Sequence, residues 1–151
     1  MAHVRFTVVS DLPLPAEAVF HELIDWRGHA AWVPLTRVAI LSGDGGPGTV
    51  FVATTGIGPI ALPDRMRVDE LDTVAMTVRI TKIGPVLSGR VDLAVTSTGA
   101  SESRLDWVED IRVPYVPQFL AGPIAAATSR GFQASISRLA KLIARRDPAR
   151  S

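Results

Sequence analysis

The chain has 151 residues, enough to bury a real core in one domain spanning 1–151, and its 47% hydrophobic and 21% charged residues are ordinary for a globular protein. Sixteen Lys and Arg against fifteen Asp and Glu leave a formal charge of +1, so net charge favours neither nucleic acid nor a membrane surface. With no cysteine, disulfides, thiolate metal sites and cysteine nucleophiles are excluded; no apolar run is long enough to cross a bilayer, and no charged n-region followed by an apolar h-region opens the chain, so neither a span nor a leader is expected.

The cytoplasm is therefore the expected compartment. Fourteen of the sixteen basic residues are Arg and Asn is absent, a bias expected of a GC-rich bacterial genome. Arg145, Arg146 and Arg150 read as a solvated tail.

In chain order, His3 to Ser10 alternates as a strand, with Val4, Phe6 and Val8 on one face. Pro13 and Pro15 mark a boundary, and Pro15 suits a first helical turn. Val19, Phe20, Leu23 and Ile24 recur at helical spacing through Ala16–Asp25. A second short helical piece, Trp26 to Trp32, stops at Pro34. The period then changes to two. Strands are expected at 36–42, 49–56, 63–70, 74–82, 88–97 and 102–113, separated by short Gly-, Pro- and Asp-rich turns that favour an antiparallel meander. A long amphipathic helix starts between Pro117 and Pro123 and runs to about Arg145, with Ile124, Thr128, Gly131, Phe132, Ser135, Leu139 and Leu142 on one face. The order is β-α-α-β6-α, an α+β fold.

The most informative stretch is Leu105 to Val113. Strand alternation puts Leu105, Trp107, Glu109, Ile111 and Val113 on one face. Glu109 thus sits inside an apolar stripe, where an ionised carboxylate is costly unless paired. Either a partner satisfies it or the stripe lines a cavity.

Several residues carry a family likeness over nearly the whole chain. They are Pro15-Ala16-Glu17-Ala18-Val19-Phe20, Asp25, Trp32-Val33-Pro34, Asp64-Arg65-Met66-Arg67-Val68, and the Trp107-to-Glu109 strand before a helix opened by Gly-Pro. With the element order, they resemble the START-like (SRPBCC) superfamily, and most of all its bacterial polyketide cyclase/dehydrase and lipid-transport branch. The resemblance implies a helix-grip fold: a seven-stranded antiparallel sheet curled around the C-terminal helix and enclosing a hydrophobic cavity. Relatives include lipid carriers, plant allergens, hormone receptors and some true cyclases and aromatases, so the fold by itself fixes no one role.

Strand parity then selects the inner face: Val91, Leu93 and Val95; Met76, Val78 and Ile80; Met66 and Val68; and the Trp107 stripe. Arg65, Arg67, Arg79, Arg90, Arg104 and Arg112 fall outside, and no Arg or Lys is expected inside. Inward polar candidates are Glu109, Asp64, Thr128 and Ser135. Tyr115 lies just past the last strand, and Trp32 can reach the cavity rim. Burial without a cation should raise the Glu109 pKa, suiting it to acid/base work or to one hydrogen bond with a ligand. The alternative is that Glu109 anchors the helix through Thr128, Ser135 or a backbone amide.

Three loops, 56–62, 83–87 and 114–122, fall at one end of the meander. They are apolar and can form a cavity mouth, a docking patch or a homodimer contact. Gly43, Gly45 and Gly48 spell G-x-G-x-x-G, but a strand follows, so the segment reads as a hairpin turn. His21, Asp25 and His29 are too loosely spaced for zinc, and Asp25 suits a helix cap. The resulting expectation is a carrier or binder of a hydrophobic lipid, polyketide or aromatic molecule, with no metal or other cofactor. Its ligand would touch Trp107, Glu109, Asp64, Met66, Met76, Val78, Val91, Leu93, Ile124, Thr128, Gly131, Ser135, Trp32 and Tyr115. The rival is a polyketide cyclase, aromatase or dehydratase using Glu109 as acid/base.

Overall fold

The structure, a computed structural model, describes residues 1–146. Seven antiparallel strands form one sheet: β1 (Ala2–Leu12), β2 (Thr36–Ser42), β3 (Val50–Thr55), β4 (Leu62–Asp72), β5 (Thr77–Ile83), β6 (Ser88–Gly99) and β7 (Glu102–Val113). Their spatial order is β1-β7-β6-β5-β4-β3-β2. Helix α1 (Ala16–Leu23) and a short 3-10 segment (Arg27–Ala31) bridge β1 to β2, and helix α2 (Ala121–Arg146) follows β7. This is the helix-grip α+β fold.

Alternation builds the sheet's inner face. Ala2, Val4, Phe6 and Val8 are buried on β1, Val91, Leu93 and Val95 on β6, and Leu105, Trp107, Glu109 and Ile111 on β7. Helix α2 lies against β1, with Ile136, Leu139 and Ile143 buried in its C-terminal half and Phe132 tilted over Phe6 and Trp107. Helix α1 packs Val19, Phe20 and Leu23 into the same core. The Arg146 guanidinium reaches Glu22 on α1, so it ties the two helices together. Arg145 is exposed, and Arg150 lies outside the described residues.

Two local departures from strict alternation matter for the site. Strand β5 begins at Thr77, three residues later than its sequence pattern suggests. Met76 instead ends the β4–β5 turn with φ +56° and gives its carbonyl to the Val95 amide (2.9 Å). A register shift between Val68 and Glu70 realigns β4 on β5, so that Met66 faces Lys82 and Val68 faces Ile80. The glycines of the G-x-G-x-x-G run take φ of +97°, +103° and +88° in the β2–β3 turn, a backbone that side chains other than glycine's rarely adopt.

Candidate functional site

Between the sheet and α2 lies a cavity of about 120 Å³. Phe51, Ala53, Met66, Ile80, Val91, Leu93 and Trp107 supply its apolar sheet wall, Phe132 closes it from the helix, and His29 and Val33 from the α1–β2 connection. Its polar lining includes three ionisable side chains brought together by three strands: Asp64 on β4, Lys82 on β5 and Glu109 on β7.

Lys82 overturns the expectation of an inner face without cations. It shares the parity of Val78 and Ile80, and it is only 7% exposed. Its ammonium donates to Asp64 Oδ2, and it stands 3.9 Å from Glu109 Oε2, a charge contact rather than a hydrogen bond. Trp107, two residues before Glu109 on the same strand face, donates its indole N–H to Glu109 Oε1 at 3.1 Å. Asp64 Oδ1 is buried with no hydrogen-bond partner among the described residues. One carboxylate oxygen inside the cavity wall is therefore available to a donor.

Burial pushes the Glu109 pKa up, against the pull of the Lys82 charge and the Trp107 hydrogen bond. Burial also works to lower the Lys82 pKa, but Glu109 and Asp64 outweigh it, and the net shift is upward. Lys82 is therefore a cation and a hydrogen-bond donor, not an amine nucleophile. Glu109 holds its proton to higher pH than an ordinary glutamate. At the cavity wall the trio thus offers a fixed positive donor, an acceptor and an exchangeable proton.

His29 is the cavity residue that sequence reasoning weighed only as a metal ligand. Its imidazole lies 4.8 Å from the Trp32 ring and 5.5 Å from the Trp26 ring. Its Nε2 donates to the Leu23 carbonyl at 2.7 Å, and burial lowers its pKa. The ring is consequently neutral, with Nδ1 left as an acceptor. Among the described residues no three His, Cys, Asp or Glu side chains converge as a metal site.

Of the ligand contacts expected from the sequence, the cavity lining contains Trp107, Glu109, Asp64, Met66, Val91 and Leu93. The others lie elsewhere. Val78 is packed in the solid core, and Met76 sits in its turn. Trp32 is fully buried behind His29. Ile124 and Thr128 do not line the cavity, and Gly131 is exposed. Ser135 is buried but donates to the Gly131 carbonyl within its own helix (3.1 Å), so neither it nor Thr128 bonds Glu109. Tyr115 is fully exposed, with φ +64°. Of the first half of α2, Phe132 alone lines the cavity, while Ile124 and Ala125 pack against the core beside it.

A family profile described as polyketide cyclase / dehydrase and lipid transport matches residues 3–144. The chain belongs to this family. Within the family's fold, it is similar to Zhui aromatase/cyclase from Streptomyces sp. R1128 at 18% identity, covering 97% of this chain and 98% of that one with a TM-score of 0.78. A START superfamily protein from Mycobacterium smegmatis matches at 16% identity, 93% and 99% coverage and a TM-score of 0.79. A Thermus thermophilus protein matches at 11% identity, 92% and 96% coverage and a TM-score of 0.74. No curated protein sequence matches the chain. At these identities the likeness is one of fold. Among the described residues no helix is long and apolar enough to cross a membrane.

Proposed function

We propose that this family member binds a small hydrophobic molecule in the cavity, holding a carbonyl or hydroxyl oxygen of the ligand against Lys82, Asp64 and Glu109. The observation that carries this reading is the trio itself: three ionisable groups at the wall of an otherwise apolar hollow, with one Asp64 oxygen left unpartnered. Small-molecule sites are commonly apolar with a few convergent polar groups of this kind. Size narrows the ligand. At about 120 Å³ the hollow is near the scale of an engineered cavity, about 150 Å³, that takes benzene. A single ring fits as the cavity stands, and a longer chain or fused rings need the first half of α2 to move outward.

Calorimetric titration with monocyclic phenols and cyclic ketones tests the reading. Glu109→Gln keeps an acceptor for Trp107 but removes the exchangeable proton. It is expected to weaken binding about tenfold, because an amide cannot give the ligand the charge-assisted bond of the carboxyl group, while moving the thermal midpoint little, because Lys82 keeps Asp64 as its partner. Binding unchanged in both Glu109→Gln and Lys82→Met would contradict the reading.

Lys82 also favours a second reading, that of a cyclase, aromatase or dehydratase. Its cation sits where an enolate oxygen needs stabilising. In this reading ionised Glu109 takes a proton from the carbon between two ketone carbonyls of a poly-β-ketone, Lys82 stabilises the resulting enolate, the enolate carbon attacks a second carbonyl, and the alkoxide so formed takes the proton back from Glu109 to become a hydroxyl. Ionised again, Glu109 removes the second proton from the same carbon, the C=C bond forms as the C–O bond breaks, and that proton goes to the departing hydroxyl, which leaves as water. Turnover of a poly-β-ketone mimic, lost in Glu109→Gln, separates the enzyme from the carrier.

A further inference from the structure

We infer that the loop-rich end of the sheet is a docking surface for an anionic lipid bilayer. The β3–β4 turn closes at the Thr55–Leu62 pair, the β5–β6 turn at Ile83–Ser88, and β7 ends at Val113 opposite Ala2. Segments 56–62, 83–87 and 114–122 therefore share one end of the molecule. Together they contain no Asp, Glu, Lys or Arg. Their large apolar side chains face solvent: Ile57 is 65% exposed, Ile60 80%, Phe119 79% and Tyr115 101%. Tyr115 is held in the left-handed region (φ +64°), which costs a bulky residue energy and is spent here on an outward-pointing aromatic ring.

Charge identifies the occupant. Just behind this tip, on the outer face, stand Arg5, Arg37, Arg65 and Arg112, all exposed and none with an ion-pair partner among the described residues. Farther down the sheet the arginines are paired: Arg67 with Asp69 (2.7 Å), Arg79 with Asp92 (3.0 Å) and Arg104 with Asp11 (2.8 Å), while Arg138, Lys141 and Arg145 stand exposed on the far half of α2. The turns at that end of the sheet carry Asp44, Asp72 and Glu102. On the sheet itself, the unpaired arginines are thus gathered towards the apolar end. Arg65 lies three residues from Leu62, roughly 10 Å along the strand. Sinking the tip about 5–10 Å into the headgroup–acyl boundary brings such a collar level with lipid phosphates. A second copy of the chain would meet the same unpaired cations, which argues against self-association.

The surface is independent of what the cavity holds, so it can be tested without a ligand. The full chain is sedimented with vesicles of equal parts phosphatidylglycerol and phosphatidylcholine, and with phosphatidylcholine alone. Binding should be confined to the anionic vesicles and should fall with added salt. Ile60→Ser with Phe119→Ser should abolish it. Replacing Arg37, Arg65 and Arg112 with Gln should weaken it on the order of 100-fold, about fivefold for each cation near an anionic surface. These side chains are exposed, so circular dichroism and thermal midpoints should match the wild type. Absence of wild-type binding, or equal binding by either set of variants, overturns the inference. So does a wild-type dimer in analytical ultracentrifugation that Phe119→Ser dissociates, or capture by the tip of a soluble protein in place of lipid.

Discussion

Glu109 and Lys82 together decide what the site can do. Each is nearly dry, so each depends on the other's charge, and the Trp107 indole fixes one Glu109 oxygen. Glu109 has a raised pKa in the folded chain, whereas an ordinary glutamate titrates near 4.5. Between these values the folded state binds more protons than the unfolded one. The stability due to this group is therefore complete below about 4.5 and is lost as pH rises through the folded value. Lys82, raised from its ordinary 10.5, contributes stability that is likewise lost only at alkaline pH above that point. In carbon-13 NMR the Glu109 carboxyl should titrate above 4.5, and higher still in Lys82→Met, which removes the neighbouring cation. A Glu109 midpoint at or below 4.5 would contradict this electrostatic account. Lys82→Met should also destabilise by about 3 kcal/mol, because it leaves the partly buried Asp64 side chain without its ammonium partner. The sequence offered the parity needed to find Lys82, since Val78 and Ile80 precede it on the same face. Lysine's usual exposure hid it. His29 was hidden differently: a 3-10 segment has no long period from which its inward side could be read.

At the level of elements, the site depends on β6 and β7 keeping their register. Gly89 pairs with Ile111, two residues beyond Glu109, and takes φ +139°. A Cβ there would collide with the Asp110 carbonyl oxygen and stand 2.7 Å from Ile111 Cα. Both are backbone atoms that cannot step aside without moving the strand that carries Glu109. Gly89→Ala should therefore cost at least about 2 kcal/mol, measured as a shift in the denaturant midpoint, and should disturb the indole N–H resonance of Trp107. A variant as stable as the wild type would show the strand contact to be loose. Strands were legible because alternation is a strong local signal; β6 and β7 lie close to their expected ranges. Met76 and the α2 contacts were not legible. A left-handed residue at a turn takes Met76 out of the alternation that begins at Thr77, and a helical wheel shows which side faces inward but not how far its first half stands from the sheet.

For the whole molecule, the fold leaves a hollow because the sheet curls while α2 is seated mainly through its C-terminal half, on Ile136, Leu139 and Ile143. Phe132 roofs the space, leaving about 120 Å³ between it and the strands. Only this global fit determines the cavity's size, which explains why the sequence pointed to a cavity but not to its small volume. The polarised arrangement of free and paired arginines is also a property of the assembled sheet, invisible to net charge. Xenon enters dry apolar cavities without needing the right ligand chemistry, so methyl NMR of the labelled protein under xenon pressure tests the hollow most directly. Saturable shifts are expected at Ala53, Met66, Ile80, Val91 and Leu93, and their loss in Ala53→Leu, whose larger side chain fills the space. Methyl signals that ignore xenon, or that respond equally in Ala53→Leu, would mean the interior is solid.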